Sequence, residues 1–188
     1  MTRVRGLVGG AAAVLLLAGC GGGGGDTDGT SSTSTSSSAS SSDPTSAEPT
    51  AAEPTADQST ATGAVVAFVE MSDKLARSPR GDLTQLSQVA RGDARKDKME
   101  TLTIYRSKGW RSKGSTGLDD VRQTSSRKDE AKVSACIDYA DLDVVDGTGE
   151  SVVADDRQER VLHTYTVVHD AKADEWFVSA LEDGGPSC

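Results

Sequence analysis

Residues 21–60 contain only Gly, Ser, Thr, Ala, Pro, Gln, Asp and Glu, and this stretch restricts where the chain can fold. It has no Lys or Arg, and almost nothing apolar in it is larger than Ala. Such a segment buries too little surface to offset the entropy of ordering it. Gly21 to Gly25 is a flexible run, and Ser31 to Ser42 is low complexity. Pro44, Pro49 and Pro54 recur at regular spacing, which makes that part extended and stiffer. As a coil, the stretch reaches roughly 35 Å root-mean-square. It reads as a spacer. Ser/Thr with Pro is also the composition of O-glycosylated stalks, and the sequence leaves both readings open. A packed core must therefore come from residues 61–188, enough for one modest domain.

Upstream, Arg3 and Arg5 precede the uncharged run Leu7 to Gly19. As a helix that run spans roughly 20 Å at ~1.5 Å per residue. A bilayer core of ~30 Å needs about 20 apolar residues, so the run is too short to span and reads as a signal peptide. Leu17-Ala18-Gly19-Cys20 resembles the bacterial lipobox. The small residues suit a signal-peptidase cleft, and the thiol is the nucleophile that accepts a diacylglycerol unit. The resemblance implies cleavage between Gly19 and Cys20, a thioether-linked diacylglycerol on Cys20, and a further acyl chain such as palmitate on the new amino group. Two or three acyl chains anchor stably. The expected address is the outer face of the plasma membrane. Val4 separates Arg3 from Arg5, so the general secretory route is expected rather than the twin-arginine one. The expected organisation is a signal peptide over 1–19, a lipidated Cys20 with its tether over 20–60, and a globular domain over 61–188.

Within 61–188 the apolar period changes once. Ala64, Val65, Phe68, Val69, Ser72 and Leu75 fall at helical spacing and predict a helix over 63–77, with Thr62 as N-cap, ending before Pro79. Asp82 can cap a short second helix holding Leu83, Leu86 and Val89. Asp93 can cap a third, with Met99, Leu102 and Tyr105 on one face, closed by Gly109. After Gly109 the period is two. Strands are predicted over 131–139, 161–168 and 176–181, and a weaker one over about 117–125, with turns at 126–129, 146–149 and 170–174. Helices first and antiparallel strands after is the α+β pattern, with N-terminal helices packed on a curved antiparallel sheet.

Besides Cys20 there are Cys136, in mid-strand, and Cys188. An oxidising space favours pairing them. A disulfide closing a loop of about 50 residues contributes roughly 4 kcal/mol in the chain-entropy model. Two independent thiols are the alternative. The helix-then-sheet order resembles the nuclear transport factor 2-like (SnoaL-like) fold over about residues 62–188. The segments ACIDYADLDVVDGTGESVV, RVLHTYTVV and WFVSALEDGGPSC resemble secreted lipoproteins of actinobacteria. The resemblance implies a cone-like α+β fold and an extracytoplasmic address, but no particular activity.

No catalytic signature stands out. Gly147-Thr148-Gly149 lacks the lysine and following helix of a phosphate loop. There is no Gly-x-Ser-x-Gly, no zinc-type cysteine spacing and no His-Glu-x-x-His. No cofactor or metal is expected. His163 and His169 are the only histidines, and a regular strand puts them on one face with Tyr165. Some members of the resembled fold use an Asp–His pair in the cone, so His163, Tyr165 and Asp138 are the catalytic candidates, with Asp141 as a second acid. A structural histidine is the plainer reading. Asp119, Asp120, Asp141, Asp143, Asp146, Asp155 and Asp156 invite a calcium reading, but EF-hand spacing and its closing glutamate are missing, and solvated turn and edge charges explain them.

The formal net charge of −9 argues against a nucleic-acid partner. The charge is uneven: 15 basic and 10 acidic residues lie over 61–132, against 3 and 13 over 133–188. The basic run Arg91, Arg95, Lys96, Lys98, Arg106, Lys108, Arg111 and Lys113 suggests contact with anionic lipid or a wall polymer. A solvated helix face that offsets the acidic half is the alternative. Three functions remain open: a domain binding a small molecule or envelope partner, an acid–base enzyme using His163, and an accessory subunit dimerising through its sheet.

Overall fold

The computed structural model describes residues 55–182 and 185–188. The expected signal peptide, Cys20 and the tether as far as residue 54 lie outside the described residues. Among the described residues, no helix is long and apolar enough to cross a membrane.

The first helix, α1 (Ala61–Arg77), carries the apolar stripe read from the sequence, and Ala64, Val65, Phe68, Val69, Ser72 and Leu75 are buried. Its cap is Thr60 rather than Thr62: the Thr60 hydroxyl accepts from the Gly63 amide at 3.0 Å. Asp82 does cap the next segment, accepting from the Thr84 amide at 2.9 Å. That segment, Leu83–Gln88, is a 3-10 helix. Six residues are too few to propagate an α-helix without a larger packed face. Helix α2 (Gly92–Lys108) starts at Arg91 with no side-chain cap. Asp93 lies in its first turn, where a negative charge suits the helix dipole. Gly109 closes α2 in the left-handed region at φ 70°.

The strands are β1 (Arg111–Lys113), β2 (Gly117–Arg127), β3 (Glu130–Asp138), β4 (Asp143–Val145), β5 (Arg160–Asp170) and β6 (Glu175–Glu182). β2, β3, β5 and β6 form a curved antiparallel sheet in that order, and β1 pairs with β4 apart from it. The architecture is α+β. Strands β1 and β4 were not expected, since three residues are too short to show a period.

Helix α1 crosses one face of the sheet and meets all four strands, while α2 leans on β6. The main core joins Ala64, Val65 and Phe68 of α1 to Val133, Ala135 and Ile137 of β3, Val167 of β5 and Val178 of β6. Leu75, Leu86 and Leu102 form a second, smaller cluster between the helices. The fold takes in residues ahead of α1. The Gln58 side-chain amide donates to the Gln88 and Trp176 carbonyls at 3.0 and 3.1 Å, and the Trp176 amide donates to the Gln58 carbonyl at 2.8 Å.

Candidate functional site

Strand β2 is an edge strand, and its irregularity shapes a cleft. Between Asp119 and Arg122 the register slips: Asp119 faces Cys136 while Arg122 faces Ser134, so β2 carries one residue more than β3 there. Asp120 takes a positive φ of 50° in this bulge. The bulge resets the alternation. Leu118 and Val121, three apart, are consequently the two half-buried positions of an otherwise exposed strand. Both turn toward α1, where Val66 and Val69 meet them across a cleft of about 1160 Å³. The floor is apolar. Glu70, Lys74 and Asp120 supply charge at the rim.

The loop before β2 holds the cleft open at a set width. The Asp73 carboxylate accepts from the Thr116 amide at 2.7 Å and from its hydroxyl at 2.9 Å. One turn along α1, Arg77 donates to the Gly114 carbonyl at 3.0 Å. Gly114 adopts φ 76°, and a Cβ there would lie 1.7 Å from the Asp141 carbonyl oxygen. Only glycine lets the two loops approach this closely.

The sequence-derived catalytic candidates do not line this cleft. His163 is buried in the sheet. The Tyr139 hydroxyl lies 3.4 Å from its Nε2, and the Tyr165 ring is stacked 6.2 Å away. Tyr165 in turn packs edge-on against Phe68 of α1. Asp138 is not the partner of His163. Antiparallel pairing sets Ala135 opposite His163 and Asp138 opposite Arg160. Residues three apart on a regular strand point to opposite faces, so the carboxylate and the imidazole are on different sides of the sheet. Asp138 accepts from the Ala140 amide at 2.9 Å and from Arg160 Nη1 at 2.6 Å. The amide first, and then the guanidinium, hold its carboxyl below the usual carboxylate range.

Cys136 and Cys188 stand at disulfide distance, with sulfurs 1.99 Å apart and Cα atoms 5.9 Å apart. The acidic turn residues are engaged by local donors. Asp146 gathers the Thr148 hydroxyl and the amides of Thr148, Gly149 and Glu150, and these bonds lower its pKa, those to Thr148 most. Asp143 accepts from the Ser151 hydroxyl at 2.7 Å. Among the described residues, no group of three or more His, Cys, Asp or Glu is placed to hold a metal ion.

The basic run does not form one face. Arg95, Lys98 and Arg106 are half-buried on the inner side of α2, whereas Lys96 and Lys108 are exposed. Arg91 stacks 3.5 Å over the Phe177 ring and donates to the Ala90 carbonyl, and Arg106 donates to the Gly81 carbonyl. Lys108 lies 4.3 Å over the Trp110 ring.

The cleft was missed from sequence because its floor residues sit on either side of a bulge. The available signal was Leu118 and Val121 bracketing Asp119-Asp120 in a strand that otherwise lacks large apolar residues.

Fold and cleft together define an α+β domain with an open, apolar-floored cleft between its first helix and an edge strand. No protein-family model and no curated protein sequence matches the chain. Among solved structures, it is similar to the intermembrane space region of chloroplast protein ARC6, with a TM-score of 0.49 and 16% identity, covering 69% of this chain and 97% of that one. It is also similar to a protein assigned as an aromatic ring hydroxylase from Novosphingobium aromaticivorans, with a TM-score of 0.45 and 14% identity, covering 63% and 80% of the two chains.

Proposed function

We propose that the chain is an extracytoplasmic lipoprotein, anchored through Cys20, whose α+β domain binds a small amphipathic molecule in the cleft between α1 and β2. The observation that carries the binding role is the cleft's construction: Val66, Val69, Leu118 and Val121 form an apolar floor beneath a charged rim. Small-molecule sites combine apolar surface with placed polar groups, and here threonines, Ser115 and charged side chains make up most of the lining around the four apolar residues. The anchor rests on the Leu17-Ala18-Gly19-Cys20 pattern and the run before it. The order of helices before an antiparallel sheet supports a nuclear transport factor 2-like reading of the domain.

The two other readings are less well supported. An acid–base enzyme built on His163 loses its first carboxylate, since Asp138 is engaged with Arg160 on the other face of the sheet, and the second, Asp141, is exposed in the turn after β3. A subunit that dimerises through its sheet would show an apolar outer face. The face away from α1 is instead mixed: Thr164 and Thr166 separate Leu162 from Val168, with Lys132 and Ser134 beside them.

Native mass spectrometry of the full chain, exported in a bacterial host and purified in detergent, tests the binding role. The expected result is a retained small molecule that Val121→Trp removes while the melting temperature is kept. A ligand-free mass for the unsubstituted chain, or retention unaffected by Val121→Trp, overturns it.

A further inference from the structure

We propose that the Cys136–Cys188 bridge is a thiol-exchange site, attacked at Cys188 by a small external thiol, with Cys136 as the leaving thiolate. The assignment is independent of the cleft and rests on the unlike surroundings of the two sulfurs. Cys136 is 2% exposed, enclosed within β3. Cys188 lies exposed on a short segment that follows β6. Attack on a disulfide goes to the accessible sulfur, and it is faster when the departing thiolate is stabilised.

Cys136 has the group that stabilises it. Arg160 Nη2 donates to Cys136 Sγ at 3.2 Å. Arg160 is held in place from two sides, by Asp138 on Nη1 at 2.6 Å and by Asp119 on Nη2 at 2.9 Å. A guanidinium beside a sulfur lowers the thiol's pKa and favours its departure as thiolate. The two carboxylates together outweigh the formal charge of Arg160, so the stabilisation rests on the direct Nη2–Sγ hydrogen bond and is smaller than an unpaired arginine would give.

The step balances without an oxidant. The attacking thiol first loses its proton to solvent. Its sulfur lone pair then forms a bond to Cys188 Sγ, and the electrons of the Cys188–Cys136 bond leave on Cys136 Sγ, beside Arg160. The products are a mixed disulfide at Cys188 and a free thiolate at Cys136. The segment is then held near β5 by the Leu162 amide, which donates to the Pro186 carbonyl at 3.0 Å.

The probe is cysteamine, a thiol with no negative charge for Asp119 and Asp138 to repel. The full chain is exposed to it, quenched with acid, alkylated and digested. Cleavage after Lys132 and Lys172 puts the two cysteines on different peptides. The adduct is expected on Cys188, with Cys136 free. Arg160→Gln should slow the exchange about three- to tenfold, since the departing Cys136 thiolate loses its hydrogen-bond donor. Arg160→Lys should recover part of the rate. An adduct mainly on Cys136, no exchange at millimolar cysteamine, or a rate unchanged in Arg160→Gln overturns the proposal. If Arg160→Gln fails to fold, the position of the adduct in the unsubstituted chain decides.

Discussion

The Ala140 amide and the Arg160 guanidinium converge on one carboxylate, that of Asp138, and the role of that residue follows from them. Five aspartates are held below their ordinary pKa mainly by nearby backbone or hydroxyl donors: Asp57, Asp82, Asp138, Asp146 and Asp170. A carboxyl whose folded pKa lies below its unfolded value adds stability above the unfolded value and loses it as pH falls through the folded one. Stability is therefore expected to be level from neutral pH down to about 5 and to fall below about pH 4. A melting temperature that stays flat to pH 2.5 would contradict this. Thr60 gives a second prediction. Its hydroxyl accepts from the Gly63 amide and donates to the Asp57 carbonyl. Thr60→Ala is expected to cost about 1 kcal/mol in urea unfolding, and Thr60→Ser to restore most of it. Choosing Thr62 as the cap from sequence was an error of two residues: both are threonines ahead of an apolar run, and only the helix phase separates them.

Helix α2 and strand β2 show how much each element disclosed in advance. The end of α2 was legible from the closing Gly109, but its start was not, since Asp93, expected as the cap, lies in the first turn, and neither was the division of its charges, because helix phase relative to the body is set by packing. Arg106 points inward to the Gly81 carbonyl and Lys96 points outward. Arg106→Ala is accordingly expected to cost about 1 kcal/mol, read as a lowered denaturation midpoint. Lys96→Gln with Lys108→Gln should cost at most about 1 kcal/mol, from the loss of the Lys108 ammonium over the Trp110 ring. We place any contact with an anionic lipid or wall polymer at these two outward lysines. The double variant should then lower flotation with anionic vesicles at moderate salt, and unchanged flotation would remove them from that role. Strand β2 was readable as a strand, but its bulge was not. Bulges arise where two strands must agree in twist and register, and one strand's residues carry only half of that information.

At the scale of the whole chain, the proposed function assigns address and binding to different segments. Cys20→Ala is expected to leave a full-length, non-acylated precursor on a labelled-palmitate gel, and normal processing of that variant would contradict the proposed anchor. The 21–60 composition, the single change of apolar period at Gly109 and the spacing of the turn residues are local properties. They were sufficient for the helix-then-sheet order and the α+β class, because periodicity and backbone entropy act over a few residues. The cleft and the separation of His163 from Asp138 depend on which residues of distant strands come opposite one another. The crowding of Gly114 against Asp141 and the guanidinium at Cys136 depend on contacts between separate segments in the same way. Register and side-chain packing decide those juxtapositions, and both are settled only when the sheet closes on α1.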